Sequence, residues 1–414
     1  MLTAEQNDRF TRVGPGTPMG KVMRRYWHPI AASVQLNEEN PTKEIRLLGE
    51  DLLLYRDLKG KVGCIEPRCA HRKANLSYGI PEENGLRCAY HGWVYNETGA
   101  CVEQPSEPSD KKFKEKVCLK AYPAEELGGL VFVYMGPQPV PLLPRWDLMV
   151  WDNVTRSIDA VMLPCNWLQC MDNSLDPVHF QWLHRYWGTW SIGRRKPAEE
   201  RDRFERYTLR SRGRKHMRIG FDRFEYGIVK RRLMEGETEQ VEGWRIGHPI
   251  LFPDVLRVSE DYWHQFQYRI PVDDTHSLHL IYAVEVPKPG ETAPHQDHVP
   301  YIERPLYDEK GRLNIGTVPE QDEAVWVMQG PVSDRTTEHI GVTDIGIIMF
   351  RKMIEDQIKI VESGGDPINV HRDPEKNKCI TLATEETYYP GYTRTGGPFV
   401  ETPLVPPEVE ASLE

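Results

Sequence analysis

The sequence predicts an α+β protein in two parts. A small all-β domain spans residues 41–148, and a larger domain, residues 149–414, is built on an antiparallel sheet flanked by helices. Three observations predict this. The 414 residues are too many for one ordinary hydrophobic core. Between about residues 44 and 135 the chain breaks into strand-length runs separated by Gly, Pro, Asn and Asp. Beyond a proline-rich joint, "GPQPVPLLPRWD" at 136–147, segments with helical period and segments with strand period share the remainder.

In chain order, residues 1–40 read as an N-terminal helical segment that packs on the larger domain. It is a helix-like stretch followed by "GPGTPMGKVMRRYWHPI", with its turns and a short amphipathic piece. The small domain supplies "EIRLLGEDLLLYRD", "KVGCIEPRC", "GLRCAYHGWVYN" and "GLVFVYMG" as strands. The larger domain opens with the strand-like "SIDAVML" and then a helical segment, "NWLQCMDNSLDPVHFQWLH". Residues 218–286 return to strands, as in "WHQFQYRIPV" and "SLHLIYAVEV", and Glu320 to Val361 is helical with an interruption near "GPVSD". The tail from 386 is rich in Pro and Gly and is expected to wrap the surface.

Bulk composition narrows the function. With 62 acidic against 52 basic residues the net charge is −10, which repels nucleic acid unless a local basic patch intervenes. No apolar run reaches bilayer-spanning length, and "MLTAEQNDRF" lacks the basic and apolar regions of a secretory signal. The expectation is a cytoplasmic protein without membrane or nucleic-acid partners. Eight cysteines in so long a chain are no disulfide framework, which leaves some of them available to metal.

Two constellations carry chemistry. The first is Cys69 with His71, then sixteen residues, then Cys88 with His91 followed by "GWVY". A lone Cys is usually a small buried hydrophobe and a lone His a hydrogen-bonded loop residue. A zinc finger groups its cysteines on one hairpin and its histidines on one helix. Here each loop carries one of each, which suits a two-iron cluster with both thiolates on one iron and both imidazoles on the other. Such His₂Cys₂ ligation raises the potential to roughly −150 to +300 mV. Gly79, Gly85 and Gly92 allow the tight turns this needs. Cys64 and Cys101 flank the motif without ligand spacing and read as core thiols.

The second constellation lies in "CMDNSLDPVHFQWLH". On one continuous helix, Asp172, Asp176 and His179 would share a face. His184, five residues beyond His179, would sit about 140° around from it. For both imidazoles to reach one metal the helix must distort or end, and Pro177 is placed to cause that. Two histidines and one carboxylate form the facial triad of non-haem iron oxygenases. Spacing alone cannot select the carboxylate.

C-x-H, sixteen residues, C-x-x-H-G-W, together with D-x-x-H-x-x-x-x-H on Asp176, His179 and His184, resembles the α subunit of the Rieske non-haem iron oxygenases. The resemblance runs over nearly the whole chain, and within the family it is nearest the phthalate 4,5-dioxygenase and aryl O-demethylase branch. It implies a Rieske β-domain and a helix-grip-like catalytic domain. It implies a [2Fe–2S] cluster on Cys69, His71, Cys88 and His91 and a mononuclear Fe(II) on His179, His184 and, by position in the family pattern, Asp322. Asp334 and Glu338 are the competitors for that third place. Asp322 would face inward, with Glu320 and Glu323 solvated. Asp176 would bridge a ligand histidine to a cluster histidine of the neighbouring subunit, and Asn173 would be a hydrogen-bonding residue behind the site. The implied activity is O₂-dependent dihydroxylation of an aromatic carboxylate such as a phthalate-like compound. The alternatives are monooxygenation or O-demethylation of an aryl ether or aromatic acid, and a Rieske electron carrier without oxygen chemistry. Electrons would come from NAD(P)H through a flavin and 2Fe–2S reductase or a ferredoxin. The assembly would be a homotrimer or a hexamer of stacked trimers.

Other groups are more ambiguous. The lysines of "KKFKEKVCLK" read as a solvated face or as a docking surface for an acidic electron donor. The arginines of "GRRKP", "RYTLRSRGRKHMR" and "VKRRL" are surface groups or clamps for a substrate carboxylate. Trp167, Trp182, Trp187 and Trp190 wall a pocket or fill the core.

Overall fold

Nine strands make the largest sheet: β1 (Thr155–Leu163), β2 (His216–Phe224), β3 (Gly227–Met234), β4 (His248–Leu251), β5 (Val255–Glu260), β6 (Trp263–Pro271), β7 (Ser277–Glu285), β8 (Tyr301–Glu303) and β9 (Phe399–Pro403). Their order is β8-β1-β7-β6-β5-β4-β3-β2-β9, antiparallel throughout except for the short β1–β8 pairing. The structure, a computed structural model, describes residues 1–108, 112–202, 215–260, 262–382 and 399–403. The tail expected from 386 lies outside the described residues apart from β9, as does most of the "RYTLRSRGRKHMR" stretch.

The expected small β domain is present. Its strands form two four-stranded sheets, one holding Thr42–Leu47, Glu50–Arg56 and Val62–Ile65, the other holding Gly85–Arg87 and Val94–Tyr95. A separate apolar cluster, with Leu53, Tyr55, Ile65, Leu86, Trp93 and Tyr95 among its members, fills the space between them. The N-terminal segment divides. Helices α1 (Ala4–Thr11) and α2 (Pro18–Met23) pack on the larger domain, where Arg9 pairs with Glu355 and Glu362. Trp27–Ala32, read as part of the helical segment, is instead a fully buried strand paired with Leu130–Tyr134. Pro29 and two alanines blurred its strand period.

In the larger domain α3 (Trp167–Ser174), α5 (Val318–Met328) and α6 (Ile345–Glu362) join the sheet in shared cores, with a π-helix (Phe180–Trp187) and α4 (Gly188–Gly193) between α3 and β2. α6 begins against β2: a Cβ on Gly346 would lie 2.3 Å from the Phe221 ring, so only glycine permits this approach. All eight cysteines are unpaired, with Cys64 and Cys101 buried as core thiols.

Candidate active site

Local chemistry builds the first loop pair. Cys69 and His71 lie in a turn closed by the Cys69 N–H donating to the Ala74 carbonyl (2.9 Å). Cys88 and His91 lie in a second turn, closed by the Cys88 N–H to the Trp93 carbonyl (2.8 Å) and the Gly92 N–H to the Cys88 carbonyl (3.0 Å). Gly92 holds φ +75° there, and Gly85 holds φ +141° where a Cβ would strike the Tyr95 carbonyl oxygen at 2.1 Å. Gly79 has an ordinary negative φ of −71°, so it is not needed for backbone freedom.

The four side chains converge. The thiols of Cys69 and Cys88 are both buried, and burial together with the neighbouring Cys69 raises the Cys88 pKa. The rings of His71 and His91 stand edge to face at 4.4 Å between centroids. The buried Nδ1 of His71 has no hydrogen-bond partner. Two adjacent thiols with an orphaned imidazole nitrogen fit the [2Fe–2S] cluster, which would supply that nitrogen with iron and keep both sulfurs as thiolates. Sequence reasoning gave no role to Trp93 and Tyr95. Trp93 stacks on His71 at 4.5 Å and 7°, and the Tyr95 hydroxyl lies 3.2 Å from Cys69 Sγ. Both follow His91 directly in "HGWVY", and that proximity was the available signal. Phe113, within the lysine-rich stretch, stands edge-on to Trp93, so that stretch passes beside this loop pair.

The second constellation is assembled differently from the single-helix reading. α3 is capped by Asn166, whose side chain accepts the Leu168 N–H (3.0 Å), and ends at Ser174. Asp172 therefore does not share a face with His179. It pairs with Arg335 and Arg351 on the far side, and Arg351 also binds Glu338. Asp176 turns the chain: its Oδ1 accepts the Val178 N–H (2.8 Å) and the His179 N–H (3.3 Å). From Phe180 to Trp187 the helix widens to i→i+5 bonding. Residues five apart then lie one above the other, which brings His179 and His184 together despite the 140° expected of an ordinary helix.

The carboxylate comes from α5, which starts at a capping box between Thr317 and Glu320. Asp322 Oδ1 lies 3.5 Å from His179 Nε2 and 3.3 Å from His184 Nε2. One ligand atom from each of the three residues lies within 4.8 Å of the others, and no such group includes Asp334 or Glu338 among the described residues. Asp334 is exposed and binds Thr336. Burial drives His179 down to about 3, so its imidazole is neutral, the form that binds metal. Burial opposes charge on Asp322, yet the facing His184 and His179 hold it below its ordinary value. Its Oδ1 is buried without a hydrogen bond. Two imidazoles and an orphaned carboxylate oxygen fit one divalent iron with open positions beyond.

Gln321 was not foreseen. Its Nε2 donates to the Ile315 carbonyl (3.2 Å), which turns its Oε1 to accept from His184 Nδ1 (2.9 Å). The proton is thereby held on Nδ1, and Nε2 presents its lone pair toward Asp322. Gly188 permits this, since a Cβ there would lie 2.8 Å from Gln321 Oε1. Glu323, expected in solvent, is only 1% exposed. It accepts from His279 Nδ1 (2.7 Å) and pairs with Arg304 (2.6 Å), anchoring α5 to the sheet one residue beyond Asp322. Asn173 contributes its backbone carbonyl to the Asp176 N–H (3.0 Å), and its side chain makes no hydrogen bond among the described residues. Trp167 is core, whereas Trp182 and Trp190 are exposed.

Comparison with known proteins agrees with this architecture. Residues 26–123 match the Rieske [2Fe-2S] domain, and 301–381 match a LigXa C-terminal domain like family. The 5,5'-dehydrodivanillate O-demethylase oxygenase subunit of Sphingobium sp. (strain NBRC 103272 / SYK-6) is 41% identical over 93% of this chain and 87% of its own. The phthalate 4,5-dioxygenase oxygenase subunit of Pseudomonas putida is 31% identical over 89% of each. Among solved structures, the terminal oxygenase of carbazole 1,9a-dioxygenase from Novosphingobium sp. KA1 shares the fold with a TM-score of 0.55 at 20% identity, covering 84% of this chain and 97% of that one. No helix among the described residues is long and apolar enough to cross a membrane. With a Rieske domain ahead of a helix-flanked antiparallel sheet, and relatives matched over nearly their full lengths, the chain belongs to the Rieske non-haem iron oxygenases and is the terminal oxygenase subunit of such a system.

Proposed function

We propose that this oxygenase acts on an aromatic acid, with the cluster carried by residues 41–148 on Cys69, His71, Cys88 and His91, and a mononuclear iron carried by residues 149–414 on His179, His184 and Asp322. The observation that carries the reading is the convergence of His179 Nε2, His184 Nε2 and Asp322 Oδ1 in a chain that also holds a Rieske domain. When loaded, the iron supplies O₂ activation and the cluster supplies electrons singly, drawn from NAD(P)H through a reductase or ferredoxin. Gln321 holds His184 in its ligating tautomer, and Glu323 with Arg304 keeps α5 in place.

O-demethylation of an aryl ether is the favoured outcome, because the relative named as an O-demethylase matches at 41% identity. Ring dihydroxylation is the second reading, supported by the relative named as a phthalate 4,5-dioxygenase at 31%. Mass spectrometry of products formed under ¹⁸O₂ from methoxylated and unmethoxylated aromatic acids separates them: a phenol with loss of the methyl carbon against a diol with two labelled oxygens. Three irons per chain are expected. Two irons, with no oxygenated product, would overturn the reading.

A ring of copies, a trimer or stacked trimers, supports electron transfer between chains in this proposal. The chain carries two exposed aromatic patches that suit a head-to-tail contact. Tyr78 lies between the two cluster loops in sequence and Tyr90 within the second, and Trp182, Tyr186 and Trp190 follow Asp176 on the π-helix and α4. Asp176 Oδ2 stands 3.8 Å from His179 Nδ1 and accepts no backbone bond, which leaves it available to a second imidazole.

A further inference from the structure

Lys230 is a buried cation without an ion-pair partner among the described residues. Its direction follows from the sheet. Along β3 side chains alternate, so Ile228, Lys230 and Arg232 share one face and Val229, Arg231 and Leu233 the other. On the second face Arg231 is matched: its Nε binds Asp222 Oδ2 at 2.5 Å. On the first face Lys230 sits opposite Phe221 of β2 and His248 of β4, and Phe221 meets the start of α6, so this is the helix-covered face.

The π-helix that carries His179 and His184 lies against the same place. The Arg232 guanidinium is 4.6 Å from the centre of the Phe180 ring, and the His216 N–H donates to Gln181 Oε1 (3.3 Å). His216 is 5% exposed, and neither of its ring nitrogens has a hydrogen-bond partner. Lys230 is close enough to Asp176 and Asp322 to feel both charges, while burial lowers its pKa. Both of those carboxylates have other work in the proposed mechanism, and a divalent ion on Asp322 more than offsets its charge. A buried ammonium with no matching anion costs stability, whereas its isosteric apolar replacement does not. A buried cation beside a reaction centre offers a place for a ligand that brings the opposite charge.

We infer that Lys230, with Arg232 beside it and the unpaired His216 nitrogens close by, receives the carboxylate of the substrate, so that the site selects aromatic acids over their neutral analogues. This rests on His179, His184 and Asp322 being the reaction centre. A carboxylate here would gain charge-assisted bonds inside a desolvated face.

The test is isothermal titration calorimetry of the iron-loaded protein with benzoate and with benzamide, its neutral isostere, alongside iron and sulfide quantification. Wild type should prefer benzoate. Lys230→Met should weaken benzoate about ten- to a hundredfold, the loss expected of a hydrogen bond to a charged group, and leave benzamide within about twofold. Lys230→Arg should retain the preference. Lys230→Met should also melt no lower than wild type, because it removes an unmatched buried charge. Should it fail to fold, Lys230→Gln serves the same comparison. Equal losses for both ligands, no loss for benzoate, or no wild-type preference would overturn the assignment. Iron content reports on the metal reading separately, so failure of one is not mistaken for failure of the other.

Discussion

His184 and Gln321, 137 residues apart, meet in a 2.9 Å hydrogen bond that decides which nitrogen of the imidazole faces Asp322. The amide is itself held by the Ile315 carbonyl, so its acceptor oxygen cannot turn away without losing a second bond. A metal-ligating histidine is oriented by such a partner, and removing the partner typically costs 10–100-fold in metal affinity, about 1.4–2.7 kcal/mol. Gln321→Leu should therefore need about that much more Fe(II) to reach half occupancy, with an unchanged Rieske spectrum. Gln321→Glu keeps an acceptor for Nδ1–H and should recover part of the loss. Full iron affinity in Gln321→Leu would show that His184 is oriented by something else.

Asp322→Ala should lose the mononuclear iron and turnover while keeping a reducible cluster, because the other acids considered for that place are committed elsewhere. Glu338 is paired with Arg351, and Asp334 is exposed in its own turn. Metal analysis of the purified variant checks this: two irons per chain are expected, and three would move the third ligand off Asp322.

His71→Cys should alter or abolish the Rieske spectrum and leave the larger domain folded. The Nδ1 of His71 is buried and unpartnered in the protein alone, as a metal-ligating nitrogen would be. The loop sits in an apolar cluster of its own, distinct from the core of the sheet and helices, so damage there should not spread. Visible absorption and circular dichroism of the variant decide it. An unchanged spectrum would remove His71 from the ligand set.

How much of this was legible follows from the range of each interaction. Cys69, His71, Cys88 and His91 were readable because two short loops carry them, and ligand spacing within a loop is a local property. The 179–184 spacing announced a distortion, and Pro177 announced that α3 would not run on. The form of the distortion, a helix with i→i+5 bonding, goes with the burial of His184 and Arg185 and with the contact of His184 to Gln321 on α5, which no local pattern encodes. Glu323 was misread because the acids at the start of a helix usually face water. Its partner His279 is 44 residues away, on β7, and the buried pair becomes visible only once the sheet is assembled. The strand Trp27–Ala32 was hidden in the same way, since its partner lies about a hundred residues on.

The domain interior holds a pair whose titration should be felt in stability. Asp254 and His28 are both buried, with His28 Nδ1 3.7 Å from Asp254 Oδ2. Burial raises Asp254 to about 7 and lowers His28 to about 4. For Asp254 the folded pKa lies above the unfolded one, near 3.9. The folded state then binds more protons between about pH 4 and 7, and this carboxyl takes stability away as the pH rises through that window. His28 acts in the other direction: its folded pKa lies below the unfolded 6.5, so stability is lost as the pH falls from about 6.5 to 4. Asp254→Asn should therefore raise the melting temperature at pH 8 by more than at pH 5, through an effect on the order of a few kcal/mol at the alkaline end. Thermal denaturation at the two pH values is the measurement. An equal gain at both would mean that the carboxyl is not ionised at a cost in the folded protein.

Asp176→Asn is the sharpest test of electron passage between chains. In the wild type, Oδ1 is occupied by the Val178 and His179 N–H groups, and Oδ2 is turned to His179 Nδ1 at 3.8 Å. Asparagine can keep its oxygen on the two backbone donors, so the turn that starts the π-helix should survive. Its NH₂ then replaces Oδ2. If His179 Nε2 binds iron, Nδ1 carries the proton, and an amide donor would face an imidazole donor. A second imidazole arriving from the neighbouring copy would meet the same mismatch. A buried unsatisfied donor costs about 1–3 kcal/mol, enough to disturb the contact without removing a ligand from either metal. Iron content and the Rieske spectrum should be normal, and turnover should nearly stop. The decisive measurement is a single turnover with pre-reduced cluster, substrate and O₂. Cluster oxidation at the wild-type rate with product formed would mean that electrons do not pass through Asp176.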